Sequence, residues 1–286
     1  MRLALVLGGG GITGAAWMAG LLKGMRGLGM DLTGADVIVG TSAGAVIGAV
    51  IASGRLDASY DLQIGPVDPT IERVAVVDLS KFASAFGGGG AYWTPSGEIA
   101  QPTRARIGLL AISADVDFSE EDRLRTMSSR LGVSEWPDRQ LMITAIACDD
   151  GALTIWTKES GVSLVTAVAS SCAAPFVYPP MTIAGRRYMD GGMRSGTNAD
   201  LALGADRIVL IAPVGPSHPF FGAAITAEVA TLRAQGARVA LVEPDAVTLE
   251  ASGPNALDPA RRRAAAEAGY KQAATASAAL RDEITV

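Results

Sequence analysis

Short, unbroken apolar runs alternate with longer stretches of helical period along this chain. Leu3 to Leu7 is apolar throughout and stops at Gly8-Gly9-Gly10-Gly11, which predicts a buried strand running into a tight loop. From Ala15 to Leu28, the residues Trp17, Leu21, Leu22 and Met25 share one helical face. Val37 to Val39 predicts a second strand, and Ala43 to Ala52 a second helix. This repetition of strand, loop and helix predicts an α/β fold with a parallel sheet. Further on, Leu141–Ala147 and Ala152–Thr157 predict a hairpin across Asp149-Asp150-Gly151. Val162 to Ser170 predicts a helix ending before Pro175. Met181–Ile183 and Arg187–Met189 flank Ala184-Gly185-Arg186 as a second hairpin, with Asp190-Gly191-Gly192 as a turn at its end. Arg207 to Ala212 predicts a late strand of the sheet. Asp258 and Pro259 suit the N-cap and first position of an Ala-rich helix reaching about Arg281.

Residues 55–135 are less legible. Gly87 to Gly90, with Phe82, Phe86, Tyr92 and Trp93 nearby, fit either an ordinary insertion or a lid that touches lipid. Neither repeats nor a linker divide the chain, so one domain over 1–286 is expected, with a variable insertion at 55–135 and a helical segment at 258–282.

Composition narrows the function classes. Hydrophobic residues make up 49% of 286 and aromatics 5%, which suits Ala- and Val-rich helices packed on a sheet and excludes a disordered chain. The net charge of −5, with no basic stripe, gives no reason to expect a nucleic-acid partner. Cys148 and Cys172 match no metal or redox spacing and read as small buried apolar residues. No apolar stretch reaches the ~20 residues of a membrane span. The N-terminal apolar run is too short for a signal peptide, so a cytoplasmic location is expected. Arg261-Arg262-Arg263 reads as a solvated face or as a contact to an anionic surface. Glu72, Asp78 and Asp149 read as solvated or turn positions.

Candidate chemistry begins at Gly40-Thr41-Ser42-Ala43-Gly44, which fits Gly-x-Ser-x-Gly between a predicted strand and a predicted helix. That context favours a sharp turn that lifts the Ser42 hydroxyl above the sheet, with Gly40 and Gly44 leaving room for it. Gly9, Gly11 and Gly14 also match the dinucleotide fingerprint. That reading requires an acidic residue at the end of the second strand, where this chain has Gly40-Thr41-Ser42. The loop is better suited to an oxyanion hole, with the N–H groups of Gly10 and Gly11 as donors. Two bases could serve Ser42. His218, the one histidine, stands between Pro216-Ser217 and Pro219 and would complete a Ser42-Asp190-His218 triad; Asp190 could act alone.

Taken together, these segments resemble the patatin-like phospholipase family. The resemblance rests on Gly9-Gly10-Gly11-x-x-Gly14, on Gly40 to Gly44, and on Asp190-Gly191-Gly192, in that order. Ala169 to Phe176, Tyr178-Pro179-Pro180 and Asn198 to Ile211 look like the segments around the family's aspartate. It covers roughly residues 3–54 and 140–212. The resemblance implies a three-layer α/β/α sandwich with a mostly parallel central sheet. It also implies a Ser42–Asp190 dyad, an acyl-serine intermediate, and neither metal nor organic cofactor. Its substrates would be lipid or small ester molecules, met in the cytoplasm or through transient contact with a membrane surface. One departure is clear: Thr13 stands where the family usually carries Arg or Lys, which weakens the expected oxyanion hole. A protein of this fold that binds lipid or a partner with little catalysis therefore stays open.

Overall fold

A computed structural model of the chain describes residues 1–76, 84, 85, 94, 97–218 and 221–284. Eight strands form one sheet: β1 (Leu3–Leu7), β2 (Val37–Gly40), β3 (Gln140–Ala147), β4 (Leu153–Trp156), β5 (Met181–Ile183), β6 (Arg186–Asp190), β7 (Arg207–Ile211) and β8 (Arg238–Val242). Their order is β5-β6-β3-β2-β1-β7-β8, with β4 paired to β3. β3, β2, β1, β7 and β8 run parallel, while β4, β5 and β6 form antiparallel pairs. The parallel strands are almost wholly buried, which is why they read as unbroken apolar runs rather than alternating ones.

Alternation along each strand serves two layers of helices. Leu5, Leu7 and Ile38 face α1 (Gly11–Gly27) and α2 (Ala43–Ala52). Ala4, Val6, Val37 and Val39 face the opposite side with Ile225, Val229 and Leu232. A helix over Gly222–Ala234 carries those three and was not legible in the sequence. The expected α/β/α sandwich with a mostly parallel sheet is what the chain adopts.

Most predicted elements hold within a few residues. α1 starts at Gly11, four residues earlier than its apolar pattern implies, because the last loop glycine is already helical. α1 is buried nearly all round rather than on one face. Its other side is covered by the C-terminal helix (Arg262–Ile284), whose backbone comes so close that a Cβ on Gly20 would lie 1.9 Å from Ala266 O. Asp258 caps the turn leading into that helix, accepting from Ala260 N at 2.9 Å. Within residues 55–135 the described part holds helices over Leu56–Ile64, Gln101–Ile112 and Glu120–Leu131. Phe82, Phe86, Gly87 to Gly90, Tyr92, Trp93 and Asp78 lie outside the described residues.

Two charge readings need correction. Arg262 is buried, donates to Leu62 O and Pro66 O, and pairs with Glu72 at 3.2 Å, so the Arg261–Arg263 run is not one solvated face. Glu72 is likewise buried, held between Arg262 and Arg130 (3.1 Å). A contact between residues about 190 apart in sequence explains why neither was recognisable. Asp149 is exposed and pairs with Arg186, as a turn residue should.

Candidate active site

Two strands bring the candidate residues together by running toward each other along β3. β2 ends with Gly40 opposite Ile143, and β6 ends with Asp190 opposite Ala145. The loops that leave these ends therefore meet above Thr144. There the Ser42 hydroxyl donates to Asp190 Oδ2 at 2.7 Å, across 148 residues of sequence.

Ser42 sits on a strand-to-helix turn with φ 54° and ψ −116°, a strained conformation for a residue with a side chain. The flanking glycines make the turn feasible: a Cβ on Gly44 would lie 1.9 Å from Leu7 O, and one on Gly40 2.6 Å from Ala45 Cα. Gly9 lies under Ser42, its Cβ position 3.5 Å from Ser42 Cβ. Ser42 N–H donates to Ser171 Oγ at 2.9 Å, and Cys172 Sγ donates to Ser42 O at 3.2 Å. The serine is thus held from the backbone side by a helix, Leu164–Ser171, that the sequence placed but gave no role.

Asp190 is buried, and burial pushes its carboxyl up to about 6. The Ser42 hydroxyl, the Gly192 N–H and the nearby Arg123 charge pull the other way. Oδ1 accepts Gly192 N–H at 2.8 Å, leaving Oδ2 for Ser42. Gly191 follows directly over Thr144, where a Cβ would lie 2.2 Å from Thr144 Oγ1. A carboxyl held near 6 is ionised at neutral pH yet remains a stronger base than a solvated aspartate.

Asn198 ties the two turns together. Its Nδ2 reaches Thr41 Oγ1 and Ser195 O, each at 3.0 Å, and Gly191 O at 3.2 Å, while its Oδ1 accepts from Arg194 at 2.9 Å. Thr41 and Thr144 hydroxyls close the network at 3.0 Å. Among the described residues, the N–H groups of Gly10, Gly11, Ile12 and Ala43 have no hydrogen-bond partner. Gly14 N–H is used within the helix, donating to Gly10 O, and Thr13 is buried with its N–H on Ala256 O.

A cavity of about 40 Å³ lies against Ser42 and Asp190. Gly11, Ile12, Ala15, Ala43, Val46, Cys172, Ala174, Tyr178 and Leu257 supply its mostly apolar wall, and Arg123 and Arg130 its charge. Gly11 lines it and Gly10 stands one residue behind. A larger concavity lies elsewhere, beside Asp138 and Lys158, and its described lining residues do not pair a nucleophile with a base.

His218 does not line the cavity; its Nδ1 faces Phe221 N at 3.3 Å in its own loop. No imidazole stands between Ser42 and Asp190. Cys148 and Cys172 are both buried free thiols, as composition suggested. The sequence reading missed Ser171, Asn198 and Arg123. The first two lie in segments already noted around Asp190. Arg123 carries no local signal, because a three-dimensional contact alone brings it to the site.

Comparison with known proteins places this arrangement. The family model for patatin-like phospholipase matches residues 5–203. Two relatives, described as uncharacterized NTE family proteins of Mycobacterium bovis and Mycobacterium tuberculosis, are each 30% identical over 214 residues, covering 71% of this chain. The match covers 48% of each relative, so it spans about half their length. Among solved structures, VipD from Legionella pneumophila aligns over 97% of this chain and 67% of its own (TM-score 0.45, 13% identity). The type III effector ExoU aligns over 100% of this chain and 54% of its own (TM-score 0.46, 16% identity). With its elbow serine, turn aspartate and glycine loop inside the matched region, the chain belongs to the patatin-like phospholipase family.

Proposed function

We propose that this chain is a serine acyl hydrolase that cleaves carboxylic ester bonds of lipids through a Ser42–Asp190 dyad. The observation that carries the reading is the 2.7 Å bond from the Ser42 hydroxyl to a buried carboxylate, made at a strained strand-to-helix turn. Ser42 Oγ attacks the ester carbonyl carbon as Asp190 Oδ2 takes its proton. The carbonyl oxygen becomes an oxyanion held by free N–H groups of the glycine loop, Gly11 and Gly10 first. Each such donor contributes about 10²–10³ in rate. Collapse breaks the C–O bond, and Asp190 returns the proton to the leaving alkoxide. Water then attacks acyl-Ser42, giving its proton to Asp190. Ser42 recovers that proton as the carboxylic acid leaves.

The wall around Ile12, Leu257 and Tyr178 is apolar, which suits the acyl chain of a lipid ester. Thr13, buried in the first helix where the family usually carries Arg or Lys, favours a second reading, a protein of this fold that binds lipid with little turnover. Hydrolysis of p-nitrophenyl esters of increasing chain length separates the two. Turnover lost in Ser42→Ala and kept in His218→Ala is expected; turnover retained in Ser42→Ala would remove the dyad. Among the described residues no helix is long and apolar enough to cross a membrane.

A further inference from the structure

Arg123 is a buried cation that no hydrogen bond or ion pair holds among the described residues. It is 4% exposed and sits on the helix Glu120–Leu131, in the part of the chain that the sequence motifs leave unexplained. Its guanidinium packs 3.6 Å from the centre of the Tyr178 ring. Among the described residues it makes no ion pair and no hydrogen bond, and its buried Nε has no partner. By contrast, Arg104, Arg194 and Arg262, the other buried arginines, each donate to backbone or carboxylate oxygens.

The location is specific. Arg123 lines the cavity that contains Ser42 and Asp190, and Arg130, about two helical turns further on, lines it too. Arg130 turns its Nε to Glu72, which also holds Arg262. Arg130 is thus partnered by Glu72, whereas Arg123 shares the cavity with Asp190 at longer range and has no ion-pair partner among the described residues. Desolvating a cation without a partner is costly, and a cavity beside a nucleophile is where a ligand's anion would offset that cost. Guanidinium forks suit phosphate oxygens in particular.

We propose that Arg123, supported by Arg130, is the residue that selects substrates by an anionic phosphate carried close to the scissile carbonyl. The proposal rests on the hydrolase reading above and adds a specificity residue to it. Tyr178 would hold the flat face of the guanidinium and leave its N–H edge for phosphate oxygens.

The test uses the full chain and two esters with one acyl chain, 1-oleoyl lysophosphatidic acid and neutral 1-monooleoylglycerol, with kcat/KM measured for each. Wild type is expected to favour the phosphate-bearing ester roughly 10- to 100-fold, as one or two charge-assisted hydrogen bonds give. Arg123→Gln should collapse that ratio toward one, and Arg123→Lys should restore part of it. Equal rates in wild type would overturn the proposal. So would an Arg123→Gln variant that slows both esters alike with an unchanged ratio, whether or not its pH profile moves, since Arg123 would then act through Asp190 or through packing. If Arg123→Gln fails to fold, Arg130→Gln takes its place, with a reduced ratio expected and an unchanged one decisive against.

Inorganic phosphate, added to the neutral-ester assay, separates the two sources of the anion. Preference without inhibition assigns the subsite to the head group, and inhibition without preference overturns substrate selection. Hydrolysis of the neutral ester alone leaves the hydrolase reading standing and the subsite refuted. Absence of any turnover fells the hydrolase reading instead. Calorimetric binding of inorganic phosphate, lost in Arg123→Gln, would then support the anion site, and no binding would end it.

Discussion

Replacing Asp190 by Asn should make the protein more stable and less active at the same time. The Asp190 carboxyl ionises near 6 in the fold, against an ordinary value of 3.8, because burial disfavours its charged form. The sign follows from proton linkage. Between those two values the folded state binds more protons than the unfolded one, so stability falls as pH rises through 6. A difference of about two pH units, at 1.36 kcal/mol each, amounts to about 3 kcal/mol of destabilisation at pH 8 and none below pH 3.8. Asn carries no charge, and its side-chain oxygen can still accept from Gly192 N–H. At pH 8 the variant should therefore gain up to about 3 kcal/mol, or roughly 5–10 °C in melting temperature for a chain of this size. The gain should shrink steadily toward pH 4. Ester cleavage, deprived of its base, should fall by about 10²–10⁴. Thermal unfolding by circular dichroism at pH 8, 6 and 4, beside an ester assay, reads both effects. A variant that melts at or below wild type at pH 8, or whose advantage grows on acidification, would refute the reasoning.

Three further outcomes follow from the same geometry. The pH profile of kcat/KM should fall about tenfold per unit below about pH 6 and level off above it; a midpoint near 4 would mean that burial does not raise Asp190. Gly44→Ala would put a methyl 1.9 Å from Leu7 O and should cost about 3 kcal/mol or more, seen as a large drop in chemical denaturation midpoint. Near-wild-type stability would disprove the tight turn. Burial pushes the thiols of Cys148 and Cys172 up to about 12, so at pH 8 a thiol reagent should modify neither until the protein unfolds.

The parts of the fold that were legible in the sequence are those fixed by local rules. β1, β2, α2 and the β5–β6 hairpin follow from apolar runs and glycine punctuation alone. Ser42 and the glycine loop were legible through the turn chemistry written in adjacent residues, whereas Asp190 stood out only through the family resemblance. β8 and the helix before it were not, since Arg238–Val242 is a short run that becomes a strand only by pairing with β7. Arg262 and Glu72 were misread as solvated because each is buried by a partner nearly 200 residues away. Arg123 shows the same limit at the site. Its helix, Glu120–Leu131, is polar in composition, and nothing along it distinguishes the cation over Tyr178 from the exposed Arg125.

The central claim is that Ser42, activated by Asp190, is the nucleophile. Reaction of the folded wild-type chain with a fluorophosphonate at pH 8, followed by mass-spectrometric mapping, tests it most directly. A single adduct on Ser42, formed far more slowly in Asp190→Asn, is the predicted result. An adduct on another residue, or none in well-folded protein that still hydrolyses esters, would contradict it.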